Sequence, residues 1–102
     1  MDLSVIIVNY NVKHFLDQCL HAVYNSAKNL DIEIFVVDNN SVDGSCLMVR
    51  KKFPKVKLIE NKTNVGFSKA NNQAIKHLFL NTTLISHFRF YRFKNFKIQY
   101  EI

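Results

Sequence analysis

The sequence predicts an α/β fold in which a mainly parallel sheet of three to four strands is flanked by helices. Three observations carry that prediction. Short β-branched apolar runs alternate with segments of helical apolar spacing. Each run ends in a cluster of polar residues. The resulting β-α-β-α-β-α order implies right-handed crossovers and a parallel sheet.

The first run, Leu3 to Val8 (LSVIIV), is apolar apart from Ser4 and turns polar at Asn9-Tyr10-Asn11. Runs of this kind are buried on both faces, as in parallel sheets. Leu16, Cys19, Leu20, Val23 and Ala27 then fall at i, i+3, i+4, i+7 and i+11 and make one apolar helix face. Asn11 is placed to cap the start of that helix, and Lys28-Asn29 to end it. Ile32 to Val37 (IEIFVV) is a second strand, closed by Asp38-Asn39-Asn40-Ser41. Asp43 is placed to cap a second helix through Cys46, Val49 and Phe53, which Pro54 ends.

Val56, Leu58 and Glu60 alternate with Lys57, Ile59 and Asn61, which describes a third strand of edge-like character. After the Asn64-Val65-Gly66 loop, a third helix is expected from about Phe67 to His77, with Ala70, Ala74, Ile75 and Leu78 on its apolar side. In open α/β sheets, ligands bind beyond the carboxyl ends of the strands. The polar clusters Asn9–Asn11, Asp38–Ser41 and Asn61–Gly66 all belong to that edge.

Composition bounds the function. A chain of 102 residues suits one small domain, and a hydrophobic fraction of 48% excludes disorder and collagen-like repeats. Cys19 and Cys46 stand in apolar settings without a CxxC pattern or clustered His, so reduced core thiols are expected. Asp2 and a short apolar run, with no basic residue before it, resemble neither a signal peptide nor a membrane span, which implies the cytoplasm. Three Asn-X-Ser/Thr sequons, at Asn39, Asn61 and Asn81, are then coincidences of an asparagine-rich chain. The net charge of +6 favours anionic partners. Arg50, Lys51 and Lys52, before Phe53-Pro54, suit either the last turn of a helix or an anion site.

The glycines exclude the dinucleotide and P-loop classes. With only Gly44 and Gly66 there is neither GxGxxG nor GxxxxGK[ST]. A bound diphosphate would have to be neutralised by other means, a metal ion first among them.

Three stretches now bring a family into view: SVIIVNYN (4–11), FVVDNNSVDGS (35–45) and ENKTNVGFSKANN (60–72). Together they resemble the opening of the family-2 inverting glycosyltransferases of GT-A fold, close to the rhamnosyltransferase-like branch. The resemblance covers about the first three quarters of the chain. It implies a Rossmann-like nucleotide-binding subdomain over residues 1–77 and a UDP- or dTDP-sugar donor. Val8, Asn9 and Tyr10 would line the base pocket, and Asp38 would contact the nucleobase, with Asn39 as its alternative. A carboxylate accepting a pyrimidine imide N–H is chemically sensible, because a charged acceptor strengthens that bond. An Asx-turn is the structural alternative for Asp38. Asn64 and Gly66 match a loop beside base and ribose, where Gly66 would permit close backbone approach. Asn71 and Asn72, disfavoured inside a helix, suggest a hydrogen-bonding duty to that loop or plain surface exposure.

The pattern breaks after the third helix. The family's fourth strand ends in an acidic pair that holds Mg²⁺ or Mn²⁺ on the sugar diphosphate, whereas here no Asp or Glu occurs between Glu60 and Glu101. Leu78-Phe79-Leu80-Asn81 could echo that strand, but without metal carboxylates. The general base of the family also has no counterpart, so a truncated and inactive half is expected. Residues 78–102 form an atypical aromatic and basic tail carrying five of the nine phenylalanines. Out-of-frame sequence is one account of it. The other is real structure, with Phe88–Phe93 and Phe96–Tyr100 as a hairpin around Lys94-Asn95. Such a tail suits homodimerisation or peripheral contact with an anionic membrane. It matches no RNA-binding motif, which makes nucleic acid the least favoured partner.

Overall fold

A computed structural model of the chain describes the backbone of residues 3–81, 88–93 and 96–101 and the side chains of residues 4–76. The elements follow in the order β1 (Leu3–Asn9), α1 (Lys13–Ser26), β2 (Ile32–Asp38), α2 (Ser45–Lys52), β3 (Lys57–Glu60), α3 (Phe67–Asn81), β4 (Phe88–Phe93) and β5 (Phe96–Glu101). They form an α/β sheet of order β3-β2-β1-β5-β4. β1 pairs parallel with β2, and β2 with β3, which is the expected parallel unit.

The apolar runs of β1 and β2 serve two cores at once. Val5, Ile7, Ile34 and Val36 face α1 and α2, where they meet Leu16, Leu20, Met48, Val49 and Phe53. Ile6, Val8, Phe35 and Val37 point to the opposite face and pack on Ala70 and Ala74 of α3. Period-2 alternation between two covered faces is why these strands read as unbroken apolar segments. The two alanines let α3 lie close to the sheet. β3, the edge strand, has half-buried Leu58 and Ile59 between exposed Lys57 and Glu60; the two pack toward opposite cores, so the edge position is as expected and the alternation of burial is not.

Several local expectations change. The segment 78–81 is helical, because α3 runs on to Asn81 and absorbs what resembled a fourth strand. The hairpin strands do form, and β5 pairs antiparallel with both β1 and β4, so the sheet reaches five strands rather than three or four. Lys94-Asn95 and the side chains of Leu78 and the tail lie outside the described residues. Asn11 does not cap α1. Its backbone is left-handed (φ +51), and its Oδ1 accepts the Val42 N–H at 2.8 Å. The first α1 amide, Lys13 N–H, is capped from another loop by Asp43 Oδ2 at 2.9 Å.

Asp43 also receives the Ser45 N–H on Oδ1 at 3.0 Å, so one carboxylate joins the starts of two helices. Burial acts to raise its pKa, but the bonds from Ser45 and from the Lys13 backbone outweigh it and hold the carboxyl below its usual range. A carboxyl depressed in the folded state stabilises the fold above its unfolded value, about 4. That contribution is lost as pH falls through the lower folded value. The stability difference between wild type and Asp43→Asn should therefore shrink below about pH 4, as read by urea unfolding at stepped pH. A constant difference down to full protonation would refute this role.

Two of the three basic residues in the last turn of α2 pair with carboxylates of the chain. Arg50 pairs with Glu60 of β3, and Lys52 Nζ lies 2.8 Å from Asp17 of α1. Both cysteines are free. Burial pushes the Cys19 thiol up to about 11. Burial and the nearby Asp38 charge push Cys46 up to about 12. Such thiols are poor nucleophiles at neutral pH.

Candidate functional site

The three polar strand ends meet on one rim. The parallel register sets Asn9 beside Asp38 and Asp38 beside Glu60. Backbone bonds then carry the pairing past the strands, from Asn39 N–H to Asn9 O at 3.0 Å and from Asn61 N–H to Asp38 O at 2.8 Å.

Asp38 lies at the centre and is 2% exposed. Its Oδ1 accepts the Asn9 amide at 2.8 Å and the Ser41 hydroxyl at 2.6 Å. Its Oδ2 accepts the Ser41 N–H at 2.8 Å, the Asx-turn expected as the structural alternative. The Cys46 side chain makes a further hydrogen bond to this carboxylate. Ser41 Oγ in turn accepts the Asn11 N–H at 2.9 Å, which ties the β1–α1 loop to the β2–α2 loop.

Asn39 is buried, and both ends of its amide are engaged. Nδ2 donates to Gly66 O at 3.1 Å, and Oδ1 accepts from Asn61 Nδ2 at 3.0 Å. Asp38–Asn39 and the Asn64–Gly66 loop therefore occupy the same side of the molecule. Tyr10 is 40% exposed at the rim, whereas Asn9 is fully buried and Val8 packs in the core under α3. Val8 thus offers the rim its backbone and not its side chain. Asn9 Oδ1 is buried without a hydrogen-bond partner.

Gly66 has φ +82, and a Cβ built there meets nothing within 4 Å. Within the chain its need for glycine comes from the left-handed backbone and not from crowding by protein atoms. Its N–H is received by Asn64 Oδ1 at 2.9 Å, so the loop is partly self-supporting. The hydrogen-bonding duty expected of Asn71 and Asn72 falls to Gln73, whose amide pairs reciprocally with that of Asn61 at 2.8 and 2.9 Å. Asn72 is exposed, and Asn71 is buried with its Oδ1 unpartnered. No local feature singles out Gln73, since glutamine is an ordinary helix residue and its partner is twelve positions away.

Residues 4–85 match the family model described as Glycosyl transferase family 2, which spans most of the chain. The chain belongs to glycosyl transferase family 2. Its parallel unit with helices on both faces is a Rossmann-like GT-A half. Over 50 residues, 48% of the chain, it is 44% identical to abequosyltransferase RfbV of Salmonella typhimurium, covering 15% of that protein. Over 52 residues, 50% of the chain, it is 33% identical to the uncharacterized glycosyltransferase MG060 of Mycoplasma genitalium, covering 18% of it. The matched stretches thus span less than a fifth of either relative's length. No solved structure matches the chain.

The family implies a divalent cation, and the donor set decides whether these residues suit one. Mg²⁺ and Mn²⁺ prefer several oxygen ligands, carboxylates above all. Among the described residues no three His, Cys, Asp or Glu side chains gather to hold a metal ion. Asp38 and Asp43 are engaged with backbone and hydroxyl donors, and Glu60 is paired with Arg50. The described residues do not fit the cation, and no step is derived through it. Among them, too, no helix is long and apolar enough to cross a membrane.

Proposed function

We propose that the rim built by Val8, Asn9, Tyr10, Asp38, Asn39, Asn64 and Gly66 binds the nucleoside part of a UDP- or dTDP-sugar, as the donor half of a rhamnosyltransferase-like glycosyltransferase. The observation that carries this reading is the joining of three polar strand ends into one hydrogen-bonded edge, where α/β sheets hold ligands. Exposed Tyr10 offers an aromatic face to a pyrimidine, and the buried Asp38 carboxylate holds Asn9 and Ser41 together beneath it. The Asn64–Gly66 loop stands beside base and ribose.

In the whole enzyme the acceptor would be an envelope or polysaccharide glycan, and the work would be done in the cytoplasm, where sugar nucleotides are available, or at the inner membrane face. A similarity to a protein named an abequosyltransferase supports sugar transfer as the reaction class. This chain would turn over little or no donor, because no Asp or Glu stands between Glu60 and Glu101 to hold a metal.

Calorimetric titration with UDP and UTP, with and without Mn²⁺, tests the proposal. Weak binding that ignores Mn²⁺ is expected. A folded chain that releases no heat with either nucleotide rules the site out.

A second reading is a self-association module. β4 stands at the outer edge of the sheet, and an edge strand leaves backbone groups open to a second copy. Its signature is a sedimenting mass that rises with concentration and returns to the monomer's when residues 78–102 are deleted.

A further inference from the structure

The loop of residues 61–66 is held at both feet by one side chain. Asn39 takes the Asn61 amide on Oδ1 and gives its own N–H to the Gly66 carbonyl. Lys62, Thr63 and Asn64, between those feet, are exposed. The orientation of the loop against the sheet therefore depends on which way the Asn39 amide faces. The Gly66 carbonyl can only accept, which sets the Asn39 NH₂ toward it and leaves Oδ1 for the Asn61 amide, so the second foot depends on where the Asn61 side chain is held. The reciprocal pair with Gln73 holds the Asn61 side chain in place by two bonds: Asn61 Nδ2 donates to Gln73 Oε1, and Gln73 Nε2 donates to Asn61 Oδ1.

We infer that Asn39, Asn61 and Gln73 form a positioning relay that sets the Asn64–Gly66 wall of the nucleotide cleft. Asn39 then serves the ligand by way of this loop. The inference rests on the nucleotide-binding reading above. The two side-chain bonds of Gln73, on α3, both go to Asn61 and not to the rim residues placed at the nucleotide.

A double-mutant cycle on UDP affinity tests the relay. Gln73→Ala keeps helix propensity high and removes only the amide. It should weaken UDP about fivefold, and Asn39→Ala about tenfold, the scale of one or two neutral hydrogen bonds. The double variant should match Asn39→Ala alone, since both act on one loop. Additive losses, or a Gln73→Ala affinity equal to wild type, would overturn the relay. Asn39→Ser repeats the test if Asn39→Ala does not fold, because it stays polar and uncharged while losing the reach to Gly66 and Asn61.

Should wild type bind no UDP, the cleft reading fails and the relay is judged by amide exchange instead. The Asn61 N–H should then exchange faster in Gln73→Ala, with Val36 and Val37 unchanged. Unchanged exchange at Asn61 rejects it.

Discussion

Replacing Asp38 with alanine is expected to lower the unfolding free energy by about 3 kcal/mol and to abolish nucleotide binding. The carboxylate receives the Asn9 amide, the Ser41 hydroxyl and the Ser41 N–H in a site only 2% exposed. Truncation removes the acceptor of all three, at about 1–3 kcal/mol for each one left wholly unsatisfied, although the Asn9 amide keeps Ser41 Oγ at 3.3 Å and Ser41 is only half-buried. Some relief from entering water keeps the total near the lower end. Losses of this size are a large share of the stability of a small domain, about 5–15 kcal/mol. The same change loosens Ser41 and its bond to the Asn11 N–H, while the Val42–Asn11 and Lys13–Asp43 bonds still hold the β2–α2 loop. Asp38→Asn should recover part of the stability and little of the binding, because its NH₂ opposes one of the inward donors. Urea unfolding and UDP titration on both variants check this. An Asp38→Ala protein of wild-type stability would show that the carboxylate holds nothing together.

A second large effect is expected at Leu20, which is fully buried between α1 and the sheet. Leu20→Ala removes buried methyl groups and leaves a cavity that its neighbours fill only partly, at about 2–5 kcal/mol. Its consequence for ligand is opposite to that of Asp38. Leu20 has no link to the rim, so the folded fraction should bind UDP with wild-type affinity at low temperature. Urea unfolding gives the stability change, and titration at a temperature where the variant is folded gives the affinity. A loss of affinity in fully folded Leu20→Ala would mean that the rim depends on the α1 core.

The outline of the domain was legible because its signals are local and redundant. β1 and β2 announce themselves by β-branched runs, and α1 by Leu16, Leu20 and Ala27 falling on one face and becoming buried. β3 was legible as an edge strand, but the alternation of burial expected of it is not what forms. Helix ends were less so. Asn11 has the chemistry of an N-cap and yet bonds to Val42, because a carboxylate thirty residues away was better placed to take Lys13 N–H. α3 continues through Leu78–Asn81, where an apolar run of four residues suits helix and strand alike.

The candidate rim divides in the same way. That polar residues would stand at three strand ends follows from where apolar runs stop, and the family follows from motifs contiguous in the chain. Which of those residues face outward does not, since burial is settled by what packs over each strand end. Tyr10 stays open while Asn9, its neighbour, is sealed. Asn39 resembles a ligand contact in the chain and is spent on Gly66 and Asn61 in the fold. Gln73 acquires its role only when α3 is laid across the sheet and meets Asn61. Strand identity, helix face and family are properties of short windows of side-chain chemistry. Hydrogen-bond partnership at the rim is a property of distances between segments, and those exist only once both cores have closed around β1 and β2.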